Sequence, residues 1–169
     1  MVRLHESQEQ TTLMPPDSDI HISPNFSWHE MTRTTHSELQ VQNRNVPPSM
    51  MLSANALCWG LLEPIRRHFR KPVVIHSGYR SPDLNAKVKG SKRSEHMQFK
   101  AADFHVIDFT IEDVWNYIWK QSELPFGQLI LEPSWIHCSL GYPLREKHKS
   151  GQVKTYDGVN YELIAKVGG

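Results

Sequence analysis

Histidine and carboxylate side chains in the second half of the chain have types and a spacing that suit a metal ion. His96 follows a polar, basic loop, Asp103 lies on the apolar segment after it, and His137 comes about thirty residues later. Two imidazoles and one carboxylate form a ligand set with which a catalytic zinc ion keeps one coordination position open for water. The sequence therefore predicts that these three side chains bind one metal ion. Because the chain contains ten histidines, a chance grouping is the alternative that composition leaves open.

Arg80 is expected to face this ion. Its guanidinium is a permanent cation with a planar fork of donors, which suits a substrate carboxylate or a developing oxyanion. The spacing from His96 to Asp103 does not fit one helical face, where ligands lie three or four residues apart. It fits one ligand at the end of a loop and a second on the following strand, and residues 101–106 have the pattern of that strand.

Hydrophobic patterning predicts the elements that position these side chains. Apolar residues recur at helical spacing in residues 48–70 and in residues 110–119, and Pro64 would kink the first helix or split it in two. Apolar runs predict strands at residues 72–75, 101–106, 128–132 and 135–140, the last two joined as a hairpin. Asp157-Gly158 predicts another hairpin, which either extends the sheet edge or forms a protruding ribbon. We therefore expect an α+β fold, with helices packed on one face of a small, mainly antiparallel sheet and the metal on its open face.

Length, charge and cysteine content narrow the classes of protein. A chain of 169 residues is expected to form one domain with its own core. The net charge is +1, so neither nucleic acid nor an anionic membrane is expected as a partner. No signal peptide and no apolar run of transmembrane length is evident. Cys58 and Cys138 are expected to be buried free thiols, and Cys138 should point away from the metal because it follows His137 on a strand.

Several motifs in a fixed order carry a resemblance to a known family. In chain order they are Ser77-Gly78-Tyr79-Arg80-Ser81, Leu84-Asn85, Ser94-x-His96, Asp103 and Trp135-x-His137. The pattern resembles the zinc D-Ala-D-Ala carboxypeptidases and peptidoglycan endopeptidases, in particular the branch frequent in bacteriophages and prophages. The resemblance extends from about Asn25 to about Leu140 and implies a hedgehog-like, D-Ala-D-Ala-peptidase-like fold.

The resemblance also implies roles for individual residues. One zinc ion is expected on His96, Asp103 and His137. Arg80 is expected to stabilise the reacting carbonyl or oxyanion. Contacts with substrate are expected from three further side chains, Tyr79, Ser94 and Trp135.

Two positions depart from the family pattern. The family usually has a glycine three residues after the first His ligand, where it allows a positive φ, and this chain has Phe99. Either the phenyl ring crowds the cleft or the loop is rebuilt. Many members carry an acid three residues before the last His ligand as the general base, and this chain has Ser134. The nearest carboxylate, Glu132, is therefore the candidate general base, and a solvated glutamate at a strand end is the alternative.

These observations predict a zinc-dependent peptidase that hydrolyses peptide bonds of bacterial cell-wall peptidoglycan and is encoded by a phage or prophage. Residues 1–24 are predicted to form a polar N-terminal arm, either flexible or ordered against another virion protein. Residues 25–169 are predicted to form the zinc domain, with a C-terminal hairpin from about residue 144. We expect the protein in the host cytoplasm or the virion, acting at the cell wall on its partner, the peptidoglycan peptide.

Two other functions stay open from the sequence. The first is a structural protein of the virion tail or baseplate that retains the peptidase fold, which the changes at Phe99 and Ser134 favour. The second is a binding module that holds wall peptide without cutting it. Release of amines from peptidoglycan separates the peptidase from both.

Overall fold

The computed structural model describes residues 20–141 and 151–167, which contain two sheets. The strands are β1 (His21–Ser23), β2 (Phe26–Ser27), β3 (Val73–Ser77), β4 (Ala101–Val106), β5 (Phe126–Leu131), β6 (Ile136–Leu140), β7 (Gly151–Tyr156) and β8 (Tyr161–Val167). The larger sheet has six strands in the order β3-β4-β6-β5-β7-β8. Its neighbouring strands are antiparallel except β5 and β7, which are parallel. The predicted α+β fold with a mainly antiparallel sheet is confirmed.

The helices are short, and three of the six belong to two longer helical runs. They are α1 (Trp28–Thr32), α2 (Gln40–Arg44), α3 (Met51–Leu57), α4 (Glu63–Phe69), α5 (Pro82–Lys87) and α6 (Ile111–Asn116). The first predicted helix corresponds to α3 and α4, and the second to α6 with a π-helical turn behind it, so both are confirmed. No helix in the described ranges is long and apolar enough to cross a membrane.

Pro64 lies where the first helical run changes its geometry. A π-helical turn, Cys58–Leu62, joins α3 to α4, and the N–H of Glu63 donates to the carbonyl of Cys58, five residues back. Pro64 then occupies the first turn of α4, where its missing N–H costs little. The predicted kink or split thus takes the form of a widened turn, and the helical run continues through it.

One face of the large sheet packs against the helices and forms the core. β4 contributes Ala102 and Phe104, which are fully buried, and β6 contributes Ile136 and Cys138. They pack in one cluster with apolar residues of the first helical run, Leu57, Leu61 and Ile65. Because side chains alternate along a strand, Asp103 and His137 are left on the opposite face.

The two cysteines belong to this core. Cys58 and Cys138 are both buried and free, as predicted. Burial raises the pKa of each thiol well above its usual range, so both stay protonated. Cys138 pairs with Ala102 across β4 and β6, on the side away from the candidate metal ligands.

Both ends of the described chain pack on the domain. Strand β1 pairs with β2, and its Ile22 is buried in the core, although the sequence assigns these residues to the arm. Residues 1–19 of the predicted arm and residues 142–150 lie outside the described ranges. The C-terminal strands form a hairpin whose turn contains Gly158 at φ +99°. This hairpin extends the sheet edge through the pairing of β7 with β5, which decides between the two predicted arrangements.

Candidate metal centre

The side chains of His96, Asp103 and His137 meet on the open face of the sheet. Nε2 of His96, Nδ1 of His137 and Oδ1 of Asp103 form a triangle with edges of 3.2, 2.8 and 3.2 Å. Ligand atoms bound about 2.0–2.1 Å from one tetrahedral zinc ion lie roughly 3.3 Å apart, so the spacing fits a shared ion. Within the described residues, this is the group of His, Cys, Asp and Glu side chains whose ligand atoms converge for a metal. We call it the metal triangle.

Two strands and one short helix position the metal triangle. Asp103 on β4 and His137 on β6 are paired directly across the sheet, so their side chains leave the same face side by side. His96 comes from a 3₁₀ helix, Glu95–Gln98, whose end turns back into β4. The N–H of Lys100 donates to the carbonyl of Glu95 (3.0 Å), which closes that turn and brings His96 over Asp103.

Hydrogen bonding and the local environment favour the protonation states of His96 and Asp103 that a metal ion requires. Nδ1 of His96 donates to the carbonyl of Gly78 (2.7 Å), which leaves its Nε2 as the acceptor that a metal requires. Burial lowers the pKa of His96 and so favours the neutral imidazole. Although burial opposes ionisation of Asp103, the adjacent His96 and His137 hold the pKa of its carboxyl well below its usual range. Two neutral imidazoles and one carboxylate are the protonation states that metal binding needs.

Arg80 contacts the metal triangle at the carboxylate of Asp103. Its Nη2 donates to Oδ2 of Asp103, and its Nε donates to Oγ of Ser77 (2.8 Å). Because Arg80 takes Oδ2, the other oxygen of Asp103 is the one that faces the two imidazoles. The Arg80 side chain is 18% exposed, so part of its donor fork can reach a ligand in the cleft.

Glu132 lies beside the metal triangle but outside it. It follows the last residue of β5, and its N–H donates to the carbonyl of Trp135 (3.0 Å) across the hairpin. Its side chain is largely buried. Burial raises the pKa of Glu132, the charge of Asp103 raises it further, and His137 opposes both effects. A carboxylate near a ligand set and with a raised pKa is suited to accept a proton near neutral pH.

Phe99 does not enter the cleft. It keeps the left-handed backbone conformation that favours glycine, with φ 54° and ψ 35°. Its ring is fully buried, edge-on to Trp28 (5.5 Å between centroids) and stacked on Tyr79 (5.4 Å). The loop is therefore not rebuilt, and the ring fills core volume instead of crowding the site. Ser134 is exposed in the β5–β6 turn and supplies no carboxylate.

The three residues expected to contact substrate lie in different environments. Tyr79 is only 3% exposed and packs on Phe99, so the structure places it in the core beneath the site. Ser94 is half-buried and directly precedes the helix that carries His96. Trp135 is 37% exposed and lines a cleft together with Arg80 and Asp103. Trp135 is therefore the one of the three whose ring faces both the site and solvent.

The cleft contains residues that the sequence did not single out. Its wall on the β3 side is formed by Arg33, Thr34, Thr35, His36 and His76. They come from the segment after α1 and from β3, and no motif or spacing links them to the metal ligands in the sequence. His76 shares a hydrogen bond with His105 (2.8 Å), so His105 contacts this wall and not a ligand of the metal triangle.

The α+β sheet and its metal triangle form the kind of centre that metal-dependent hydrolases use, with two imidazoles and one carboxylate, and the carboxylate of Asp103 also lines the cleft. Residues 24–139 match the family model described as Peptidase M15. The match covers more than half of the chain, and the chain belongs to this metallopeptidase family. No curated protein matches the chain. The family match ends before β7, so the C-terminal hairpin lies beyond it.

Proposed function

We propose that the protein is a zinc peptidase that hydrolyses peptide bonds of bacterial cell-wall peptidoglycan and is encoded by a phage or prophage. The observation that carries the peptidase assignment is the metal triangle, whose Asp103 lines a cleft and which has Arg80 and Glu132 beside it. Family membership supports a metallopeptidase. The wall substrate and the phage source rest on the resemblance of the Ser-Gly-Tyr-Arg-Ser and Trp-x-His motifs.

In this proposal, the metal ligands and Glu132 have separate roles in peptide hydrolysis. When bound by His96, Asp103 and His137, zinc supplies a Lewis acid that acidifies water and polarises a carbonyl. Glu132 accepts a proton from the attacking water as the new carbon–oxygen bond forms. It then delivers that proton to the leaving nitrogen as the carbon–nitrogen bond breaks. The products are one carboxyl group and one amine, so atoms and charge balance.

Arg80 supplies fixed positive charge to the same step. Its anchoring to Ser77 and Asp103 holds the guanidinium in place before substrate arrives. A donor that is held in place stabilises negative charge developing on the carbonyl oxygen without a reorganisation cost. In this proposal, Glu132 is the acid–base group and Arg80 the oxyanion donor beside the metal triangle.

A virion structural role is the second candidate. Ser134 replaces the acid that many relatives carry, and the structure puts that position in an exposed turn. If Glu132 does not serve as the base, the site retains a metal-binding triangle without a proton acceptor. Zinc then stabilises the fold without hydrolysis.

Release of amines from purified peptidoglycan at saturating zinc separates the two functions. We expect the wild type to release amines and to lower the turbidity of the peptidoglycan suspension. We expect strongly reduced release by His137→Ala and by Glu132→Gln. Zinc content of each variant, measured by elemental analysis, reports separately on the metal triangle. Equal and negligible release by all three proteins would favour the structural role. Binding to peptidoglycan without amine release by the wild type would favour a binding module.

A further inference from the structure

The pairing of the strands places a second line of side chains beside the metal triangle. Glu132 pairs with Trp135 through its N–H, one position beyond the last pair of β5 and β6. On its other side, the parallel pairing ends at Leu131 with Thr155, so Tyr156 follows next to Glu132. Tyr156 in turn pairs with Tyr161 across the C-terminal hairpin. We call Trp135, Glu132, Tyr156 and Tyr161 the outer row.

The outer row lies on the same face of the sheet as the metal ligands. Ile130 pairs with His137, and Ile130 also pairs with Lys154 on β7. Glu132 lies two residues after Ile130, and Tyr156 lies two residues after Lys154. Because the side-chain period of a strand is two, both share the face of His137. Val153 directly precedes Lys154 on β7, so its side chain points to the opposite face of the sheet, where it is fully buried in the core.

Tyr156 and Tyr161 form a fixed aromatic pair. Their rings are stacked with centroids 4.5 Å apart and an angle of 26° between the planes. The hydroxyl of Tyr156 donates to the carbonyl of Gly158 (2.8 Å), which ties its ring to the hairpin turn. No described residue forms a hydrogen bond with the hydroxyl of Tyr161, whose side chain is 60% exposed. One ring is thus anchored and the other offers a face and a polar tip to a ligand.

Tyr161 lies close enough to the metal triangle for nearby charges to affect the pKa of its hydroxyl. Burial and the nearby Glu132 raise the pKa of Tyr161, and Asp103 acts in the same direction. Arg80 acts in the opposite direction on the same hydroxyl. Glu132, Asp103 and Arg80 therefore all lie within electrostatic reach of Tyr161, although Tyr161 belongs to the outermost strand.

The hairpin also exposes apolar surface that the core does not use. Leu163 and Ile164, on the same strand as Tyr161, are 49% and 43% exposed. A group of exposed apolar side chains that continues from a site is typical of a ligand-contact surface. The hairpin lies beyond the residues that match the family model.

We propose that Tyr156 and Tyr161 form a substrate subsite, which binds the peptide stem of the wall polymer on the side of Glu132 opposite Trp135. The proposal rests on the proposed function for the identity of the peptide. Aromatic ring faces pack against aliphatic side chains and peptide planes, and the tyrosine hydroxyl bonds to a peptide carbonyl. A stem that lies across the outer row contacts Trp135 at one end and Tyr161 at the other, with its middle over Glu132.

Steady-state amine release from purified peptidoglycan tests this subsite in the full chain. Tyr161→Ala is expected to raise KM about three- to tenfold, while kcat stays within about twofold, because the aromatic contact affects ground-state binding. Tyr161→Phe keeps the ring and is expected to recover most of that loss. Val159→Ala removes a more exposed apolar side chain from the same hairpin and is expected to match the wild type.

Co-sedimentation with purified sacculi after zinc removal by a chelator gives a second readout that is independent of catalysis. We expect weaker binding by Tyr161→Ala than by wild type and Val159→Ala. If wild type releases amines and Tyr161→Ala matches Val159→Ala in both KM and binding, the subsite is overturned and the peptidase assignment stands. If wild type releases no amines, the peptidase assignment fails, and the sedimentation comparison alone supports or overturns the subsite.

Discussion

The metal triangle and the outer row lie on one face of the sheet, yet the protein holds them very differently. Side-chain exposure is 2% for His96, 8% for Asp103 and 14% for His137. In the outer row, Trp135 is 37% exposed and Tyr161 is 60% exposed. Under the proposed function this contrast separates two roles, since ligand geometry needs buried, hydrogen-bonded support and substrate contact needs accessible surface.

The two groups also differ in their origin in the chain. The metal triangle is built from the two central strands and one short helix, all inside the family match. The far half of the outer row comes from the C-terminal hairpin, outside that match. Glu132 connects the two, because it is largely buried like a ligand but paired in register with the aromatic residues. The comparison therefore predicts different consequences for changes in each group.

Loss of a ligand should have the largest effect. We expect His137→Ala to lose bound zinc and to reduce amine release by at least about a thousandfold, roughly 4 kcal/mol of barrier. The physical reason is that two remaining donors neither hold the ion nor fix its geometry. Elemental analysis and amine release measure the two effects. His105→Ala is the matched control, because His105 lies on the adjacent part of β4 and its side chain bonds to His76 and to no metal ligand among the described residues. Full zinc content in His137→Ala would contradict the metal triangle.

Removing the carboxylate of Glu132 should strongly lower turnover without removing the metal. We expect Glu132→Gln to keep its zinc and to lower kcat about 10²–10⁴-fold, the usual contribution of a general base. Elemental analysis and steady-state amine release separate this outcome from ligand loss. Glu162→Gln, at an exposed position of β8, serves as the control for a lost carboxylate. An unchanged kcat in Glu132→Gln would return Glu132 to the role of a structural residue at a strand end.

Substitution of Arg80 tests whether catalysis needs a positioned guanidinium and not only a positive charge. Lysine keeps the positive charge but lacks the planar fork with which Arg80 bonds to both Ser77 and Asp103. We expect Arg80→Lys to lower kcat about 10²-fold, near the cost of one oxyanion donor. Zinc content should fall less than in His137→Ala, because Arg80 supports a ligand and is not one. Wild-type kcat in Arg80→Lys would show that charge alone suffices.

The sequence predicted the metal triangle well because strand alternation and the order of the motifs point to its ligands. Strand β4 has the predicted bounds, and alternation places Asp103 on the side opposite Phe104, which is in the core. The β5–β6 hairpin has a short turn, so the register of His137 with Ile130 follows from turn length. The pairing of His137 with Asp103 joins β6 to β4, which are not consecutive in the chain, so turn length does not set it. The resemblance added the order of the motifs, which spacing alone does not provide.

The outer row could not be predicted in the same way. Tyr156 approaches Glu132 through the parallel pairing of β5 with β7, and no turn of fixed length sets the register of a parallel pair. The hairpin turn at Asp157-Gly158 was visible in the sequence, but its position relative to the site was not. The cleft residues Arg33 and His76 were missed for a related reason, because they come together only when α1 packs beside β3.

Phe99 follows the 3₁₀ helix that carries His96. Of the substitutions discussed, those at Phe99 are expected to differ by the smallest free energy, and they give a clear test. Its ring fills the space between Trp28 and Tyr79, so Phe99→Ala should lower the free energy of unfolding by about 3–5 kcal/mol. Glycine leaves the same cavity but also releases the left-handed backbone at φ 54°. In a helix, glycine is less stable than alanine by about 1 kcal/mol. Here we expect the reverse order, with Phe99→Gly more stable than Phe99→Ala by about 1 kcal/mol.

Urea unfolding of the two Phe99 variants measures this difference directly, since they share the lost ring and differ in one methyl group. The reversed order arises because a side chain at a left-handed position is strained, whereas glycine is not. Zinc content should follow stability only weakly, because His96 keeps its hydrogen bond to Gly78 and its place in the turn closed by Lys100. If Phe99→Ala proved the more stable variant, the backbone at this position would have to change on substitution. The loop that delivers His96 to the metal triangle would then depend on the ring itself and not on its backbone conformation.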